Sequence, residues 1–168
     1  MKQAVQPRPR PEDDARSIDI EIRIAFADVM RPRALARKRR VETDDMDREL
    51  GMRPWTALGA AELVRHRAAL AMLDAAAFRY YLPAYLLGSL DEAAPGFRAE
   101  LREATLLALS PHLRARGPNQ LDESRFQERT AALDQLQRGV IRRYIGFVRR
   151  CVAHPQVFPA LDPAGVWR

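Results

Sequence analysis

At 168 residues with a single cysteine, Cys151, the chain is long enough for one buried core and cannot form an intrachain disulfide, which excludes a disulfide-stapled scaffold. Its 28 Lys+Arg against 22 Asp+Glu leave a net charge of +6 and a pI near 10.2. Only Lys2 and Lys38 are lysines, and arginine forks suit phosphate or carboxylate partners.

Residues 1–16 read as a disordered tail, because proline alternates with arginine from Gln6 to Pro11 and acids follow at Glu12 to Asp14. Structure is expected from Ser17, a helix N-cap, with Asp19 and Glu21 in the first turn. Ile18, Ile20, Ile22 and Ile24 alternate like a strand, whereas Ile18, Ile22, Phe26 and Val29 have helical spacing. Length and the Ala25, Phe26, Ala27 run favour a helix that ends before Pro32. A basic block (Arg31, Arg33, Arg37, Lys38, Arg39, Arg40) meets an acidic one (Glu42, Asp44, Asp45, Asp47, Glu49). Within a Debye length of ~8 Å the two largely cancel, so this connector is expected to be self-paired.

A short helix is expected from Thr43 to Leu50, stopped by Gly51 and Pro54, with Trp55 inserting into the core. A second runs from Ala60 to Leu73, with Leu63, Leu70 and Leu73 inward and Arg65 and Arg67 outward. Asp74 then caps a helix from Ala75 to Leu90. Its Phe78, Tyr81, Leu82, Tyr85 and Leu86 form one aromatic and apolar stripe. Tyr80, about 200° from Phe78 on the wheel, falls outside that stripe. Pro83 should kink this helix or begin a new one, leaving a free carbonyl beside Arg79 and Tyr80. Phe97 to Leu109 supplies another helix with Phe97, Leu101, Ala104 and Ala108 in register. Arg114 to Glu123 reads as a loop, and helix follows to His154 with a break near Thr130.

The last helix is the strongest candidate for a functional surface. Leu133, Leu136, Val140, Ile141, Tyr144, Ile145, Phe147, Val148, Cys151 and Val152 occupy one half of its circumference; Arg138, Arg142, Arg143, Arg149 and Arg150 occupy the other. No acid occurs from Gln135 to Leu161, so another element, solvent or a partner must balance these arginines. Gly139 and Gly146, two turns apart on the arginine side, are expected to admit a close helix crossing within the fold.

Signals for chemistry are thin. Cys151 and His154 are too few for zinc, which takes at least three protein ligands, and Cys151 is placed as a buried, inert thiol. The other histidines are His66 and His112. There is no phosphate-cradling glycine loop, GxSxG elbow or HExxH. The spacing of the carboxylate pairs Glu100 with Glu103 and Asp122 with Glu123 does not place two acids in one cleft, and Glu100 and Glu103, on the polar side of an arginine-flanked helix, are read as exposed ion-pairing groups. No catalytic, metal or cofactor residue is assigned.

The pieces AFADVMRP (Ala25 to Pro32), Trp55, LDAAAFRYYLPAYL (Leu73 to Leu86) and VIRRYIGFV (Val140 to Val148), in this order, resemble a family of small bacterial proteins known chiefly as a domain of unknown function. The resemblance spans Ile18 to Val152 and implies an all-helical single domain with no catalytic residues to carry over. The expected architecture is all-α, five to six helices over residues 17–154, with an extended 155–168 segment packing back on the domain. With no apolar run for a secretory signal in MKQAVQPRPRPEDD, and no stretch near the ~20 residues of a spanning helix, a cytoplasmic, membrane-free setting is expected. The expected function is a non-catalytic interaction protein, of immunity or inhibitory type, binding an acidic protein surface through Arg138, Arg142, Arg143, Arg149, Arg150, Arg79 and Tyr80. The alternative is a nucleic-acid accessory protein that uses the same arginines on phosphates. Oligomeric state is left open.

Overall fold

A computed structural model of the chain describes residues 11–36, 41–51, 53–110, 120–151 and 167. Among the described residues the protein is all-helical, with seven α-helices and no strand. These are α1 (Pro11–Ala25), α2 (Val41–Leu50), α3 (Ala60–Arg65), α4 (Ala75–Leu90), α5 (Pro95–Ala108), α6 (Gln120–Ala131) and α7 (Gln135–Cys151). Two 3-10 turns, Trp55–Ala57 and Ala69–Met72, flank α3.

The first helix begins six residues before Ser17. Pro11 has the fixed φ and missing N–H that suit a first helical turn, and Glu12, Asp13 and Asp14 behind it complement the positive end of the dipole. Residues 11–16, expected as tail, are therefore helical, and Ser17 is an interior residue. Residues 1–10 lie outside the described ones. The ambiguous isoleucine run resolves as helix: Ile18 and Ile22 are buried, while Ile20 and Ile24 are 53% and 64% exposed. The helix stops at Ala25, earlier than Pro32 requires, in a turn closed by Val29 N–H to Phe26 O.

The connector contributes one anchor. Leu35 is buried, and its carbonyl accepts the amide of Asp74 at 2.8 Å at the entry to α4. Residues 37–40, four of the six cations of the basic block, lie outside the described residues. Of the following acids, Asp45 pairs with Arg48 at 2.9 Å, and Glu49 receives His66 Nε2 at 3.0 Å with Arg65 at 3.7 Å.

The expected helix from Ala60 to Leu73 is two shorter pieces. The chain turns at His66, whose carbonyl accepts both the Ala69 amide at 3.0 Å and the Tyr85 hydroxyl at 2.9 Å. The inward leucines Leu63, Leu70 and Leu73 are nonetheless buried, and Arg65 and Arg67 are exposed.

The helix α4 is the centre of the molecule. It packs against α1, α3, α5, α6 and both 3-10 turns, and Ala77, Phe78 and every residue from Tyr80 to Leu86 are buried. A helix apolar all round belongs inside a domain. The single stripe expected here is thus broadened to most of the circumference, and Tyr80, expected outside it, is only 6% exposed, edge-on to Tyr81 with centroids 4.9 Å apart. Pro83 sits inside an uninterrupted helix, so neither a second helix start nor a surface carbonyl patch forms there. Asp74 occupies the N-cap position without a side-chain capping hydrogen bond.

Next, α5 crosses α4 at Gly88, where an added Cβ would stand 2.7 Å from Leu101 Cδ1. Leu101, Ala104 and Ala108 face the core as expected, but Phe97 is 40% exposed, one turn before the crossing. The break near Thr130 separates α6 from α7. The expected loop to Glu123 is shorter at its end, because α6 begins at Gln120; residues 111–119 lie outside the described ones. Trp167 is buried, donates its indole N–H to Leu109 O at 3.0 Å and stands edge-on to Phe126.

Because both rings are buried, Tyr81→Ala and Tyr80→Ala should each destabilise the protein by about 3 kcal/mol. In a chain of this size that lowers Tm by roughly 6–12 °C. A Tyr80→Ala protein that melts with the parent would show that α4 has a free side. Tyr144 provides a second check. Burial pushes its phenol from 10.0 up to about 12. A raised pKa gives stability that is complete below pH 10 and lost as pH rises towards 12. Stability followed by circular dichroism should therefore fall over that window, and Tyr144→Phe should flatten this alkaline limb.

Candidate interaction surface

The position of α7 is set at its N-terminus by a capping box. Asp134 Oδ1 accepts the Gln137 amide at 2.9 Å, and Gln137 Oε1 returns the bond to the Asp134 amide at 3.3 Å. Gln137 is 1% exposed, and its Nε2 donates to Ala25 O at 3.0 Å, which ties the end of α1 to the start of α7. Arg79 completes the knot, giving Nε to Gln137 Oε1 at 2.9 Å and Nη2 to Asp134 Oδ2 at 3.0 Å. Arg79 therefore reaches α7, but its guanidinium serves the cap. Tyr80 is in the core. Neither forms the outer patch expected of them.

From this knot α1 and α7 run antiparallel. Gln137 meets Ala25, Arg143 pairs with Glu21 and approaches Ser17 Oγ, and Arg150 Nη2 meets Asp14 Oδ2 at 2.9 Å. The inner face of α7 buries Val140, Ile141, Tyr144, Ile145, Phe147 and Val148. Leu136 and Cys151, both placed with that face in the sequence reading, are exposed instead. Leu136 lies at the edge of the stripe, and Cys151 is the last residue of the helix. The thiol is therefore not a buried one, and His112 and His154 lie outside the described residues. Among the described residues no three His, Cys, Asp or Glu side chains stand together as a metal site. Glu100 pairs with Arg67 at 3.6 Å on the surface.

The five arginines of α7 divide by role. Arg138 caps the end of α6, donating to Leu133 O at 3.0 Å and Thr130 O at 2.9 Å. Arg143 and Arg150 are matched by acids of α1. Arg142 and Arg149 are exposed and have no ion pair or hydrogen bond among the described residues. At 100° per residue the two matched arginines lie on the α1 side and the two unmatched ones on the far side. Gly139 and Gly146 form the lane between them.

That lane is open. A Cβ built on Gly139 meets nothing within 4 Å, and one on Gly146 meets only Arg150 Nη1 at 3.7 Å. The close internal crossing expected of these glycines is found instead at Gly88. Each glycine still costs α7 up to ~1 kcal/mol against alanine. Beside Gly139 a shallow groove of about 650 Å³ runs between α1 and α7, lined by Ile24, Leu136, Val140, Arg142 and Arg143 among others. Ile24 at 64% and Leu136 at 61% exposure are among the most exposed large apolar side chains of the described residues. A second cleft, about 610 Å³, lies on the other flank of α1, where Glu12, Asp19, Asp91 and Glu92 rim an apolar floor of Ala84 and Leu87. None of the candidate binding residues read from the sequence lines it, although Trp55 does.

The capping box was written in the sequence as Asp134-x-x-Gln137 and went unread. The groove had no such signal, since it depends on which isoleucines of α1 meet α7.

In comparison with known proteins, residues 14–167 match the model described as Family of unknown function (DUF6714). No curated protein and no solved structure matches the chain.

The two kinds of polar residue on α7 should separate in a thermal melt. Gln137→Ala removes a buried amide that serves three partners and should cost about 2–3 kcal/mol. Arg142→Ala and Arg149→Ala should stay within about 0.5 kcal/mol of the parent. A large loss from either arginine would mean that it supports the fold.

Proposed function

This chain belongs to DUF6714, a family of unknown function, and we propose that it acts without chemistry of its own, as an interaction module. Its α1/α7 face receives an acidic segment of a partner protein, in the manner of an immunity-type or inhibitory protein. The observation that carries this reading is the pairing of unmatched charge with exposed apolar surface. Among the described residues Arg142 and Arg149 have no acid partner, and Leu136 and Ile24 stand exposed beside the same glycine lane.

Unmatched arginines attract an anionic partner and steer its approach, while adjacent apolar side chains reward only a partner with apolar groups to bury. The net charge of +6 gives the same preference for an acidic partner. The strongest support for nucleic acid is the pair of free guanidinium groups on an exposed helix. Against it, the residues that line the groove include exposed aliphatic side chains and no aromatic platform on which bases could stack.

The test is recovery of the protein from its native host under mild conditions, with the charge-reversed Arg142→Glu/Arg149→Glu protein as comparison. The expected outcome is a stoichiometric protein partner that the double variant loses. A protein recovered alone and monomeric contradicts the reading. Binding of labelled duplex or single strand at low salt, with log affinity falling against log salt and a slope flattened by the double variant, transfers the assignment to nucleic acid.

A further inference from the structure

Resting on the proposed interaction role, we infer that the occupant of this face is a single amphipathic α-helix. It lies along α7 over Gly139 and Gly146, with its apolar side towards Ile24 and Leu136. Acidic residues about two turns apart stand opposite Arg142 and Arg149.

Three features of the face converge on this shape. The lane between the arginine rows is bare where a Cβ would otherwise stand, at two points seven residues apart. Seven residues correspond to about 10 Å of helix, the length over which a second helix axis can stay close to α7. No helix of the described fold uses that approach. The free positive charges repeat at the same seven-residue interval on one flank only, because Glu21 and Asp14 neutralise the other flank. An acidic residue and its counterpart two turns later on the incoming helix would meet Arg142 and Arg149 in turn. Third, the apolar contacts lie on the neutralised side, so the occupant must be apolar on one flank and acidic on the other.

Alternative modes of peptide capture lack their requirements. Addition of a strand needs an open sheet edge, and among the described residues there is no strand. Capture of a polyproline helix needs aromatic ridges, and no aromatic side chain lines the groove. Recognition of one phosphate by an arginine cluster needs converging guanidinium groups, whereas Arg142 and Arg149 stand two turns apart.

The experiment is selection of random 16-residue peptides displayed against the full chain, followed by affinity measurements on the parent, Gly139→Leu and Arg142→Glu proteins. Gly139→Leu puts a side chain into open space and so fills the lane without touching the core; its melting temperature should equal or exceed that of the parent. The expected result is enrichment of acidic amphipathic sequences that become helical on binding and bind at least tenfold more weakly to both variants. Enriched peptides that are extended, proline-rich or uncharged overturn the inference, as does equal binding to Gly139→Leu or a selection that enriches nothing. Failure here is separable from failure of the functional reading. A native partner that is retained by the parent and lost by Arg142→Glu/Arg149→Glu keeps the interaction role while the helical occupant is abandoned.

Discussion

The fold depends on burying most of one helix, α4, while giving three of its hydroxyls partners elsewhere in the chain. In α4, Tyr81, Tyr85 and Ser89 recur every four residues, so their hydroxyls form one row along the helix. Each is tied to a different part of the chain: Tyr81 to Leu50 O at the end of α2, Tyr85 to His66 O after α3, and Ser89 Oγ to Tyr144 Oη of α7 at 2.7 Å. Ser89 gives its own proton to Leu86 O at 2.6 Å, so Tyr144 is the donor to Ser89. A buried hydroxyl left unpaired costs about 1–3 kcal/mol. The row therefore fixes which turns of α2, α3 and α7 can stand against α4, where apolar contact alone would tolerate a slip.

The outward face of α7 follows from that constraint. Tyr144 is hydrogen-bonded to Ser89, and Gln137 and Asp134 to Arg79 and, through Gln137, to the end of α1, so these contacts set both the rotation and the axial register of the helix. Its five arginines then fall where the helical period sends them: one onto the last carbonyls of α6, two onto acids of α1 and two into solvent. The asymmetry of the surface is a by-product of core register. A rotation of α7 by one residue would bring a different set of arginines opposite Glu21 and Asp14.

The contrast between the glycines makes the same point. Gly88 lies where a Cβ would press on Leu101, so its small size is used by the α4/α5 crossing. A Cβ on Gly139 would meet no described residue, so its small size is used by nothing in the described part of the fold. Both look alike as isolated helix-interior glycines, and only the neighbour present or absent across the gap distinguishes them.

Much of the architecture was legible locally. The span Ala75–Leu90, the stop at Gly51, the break near Thr130 and the buried Trp55 follow from punctuation and apolar spacing, which act over a few residues. The early start of α1 was also present, as Pro11 followed by three acids, but the proline-arginine run before it has the composition of a tail. Tyr80, Phe97 and Cys151 lie otherwise than the helical wheel indicates, since wheel position specifies a direction while burial depends on how many neighbours lie there. Sequence alone determined an all-helical chain with an arginine-rich last helix and no acid within it, because periodicity and charge order are properties of consecutive residues. Only the tertiary structure decided which arginines are matched by Asp14 and Glu21, which glycine is a crossing and which a bare lane. The arginine pairs join residues more than a hundred positions apart, and the crossing at Gly88 joins two different helices, so neither can be read from consecutive residues.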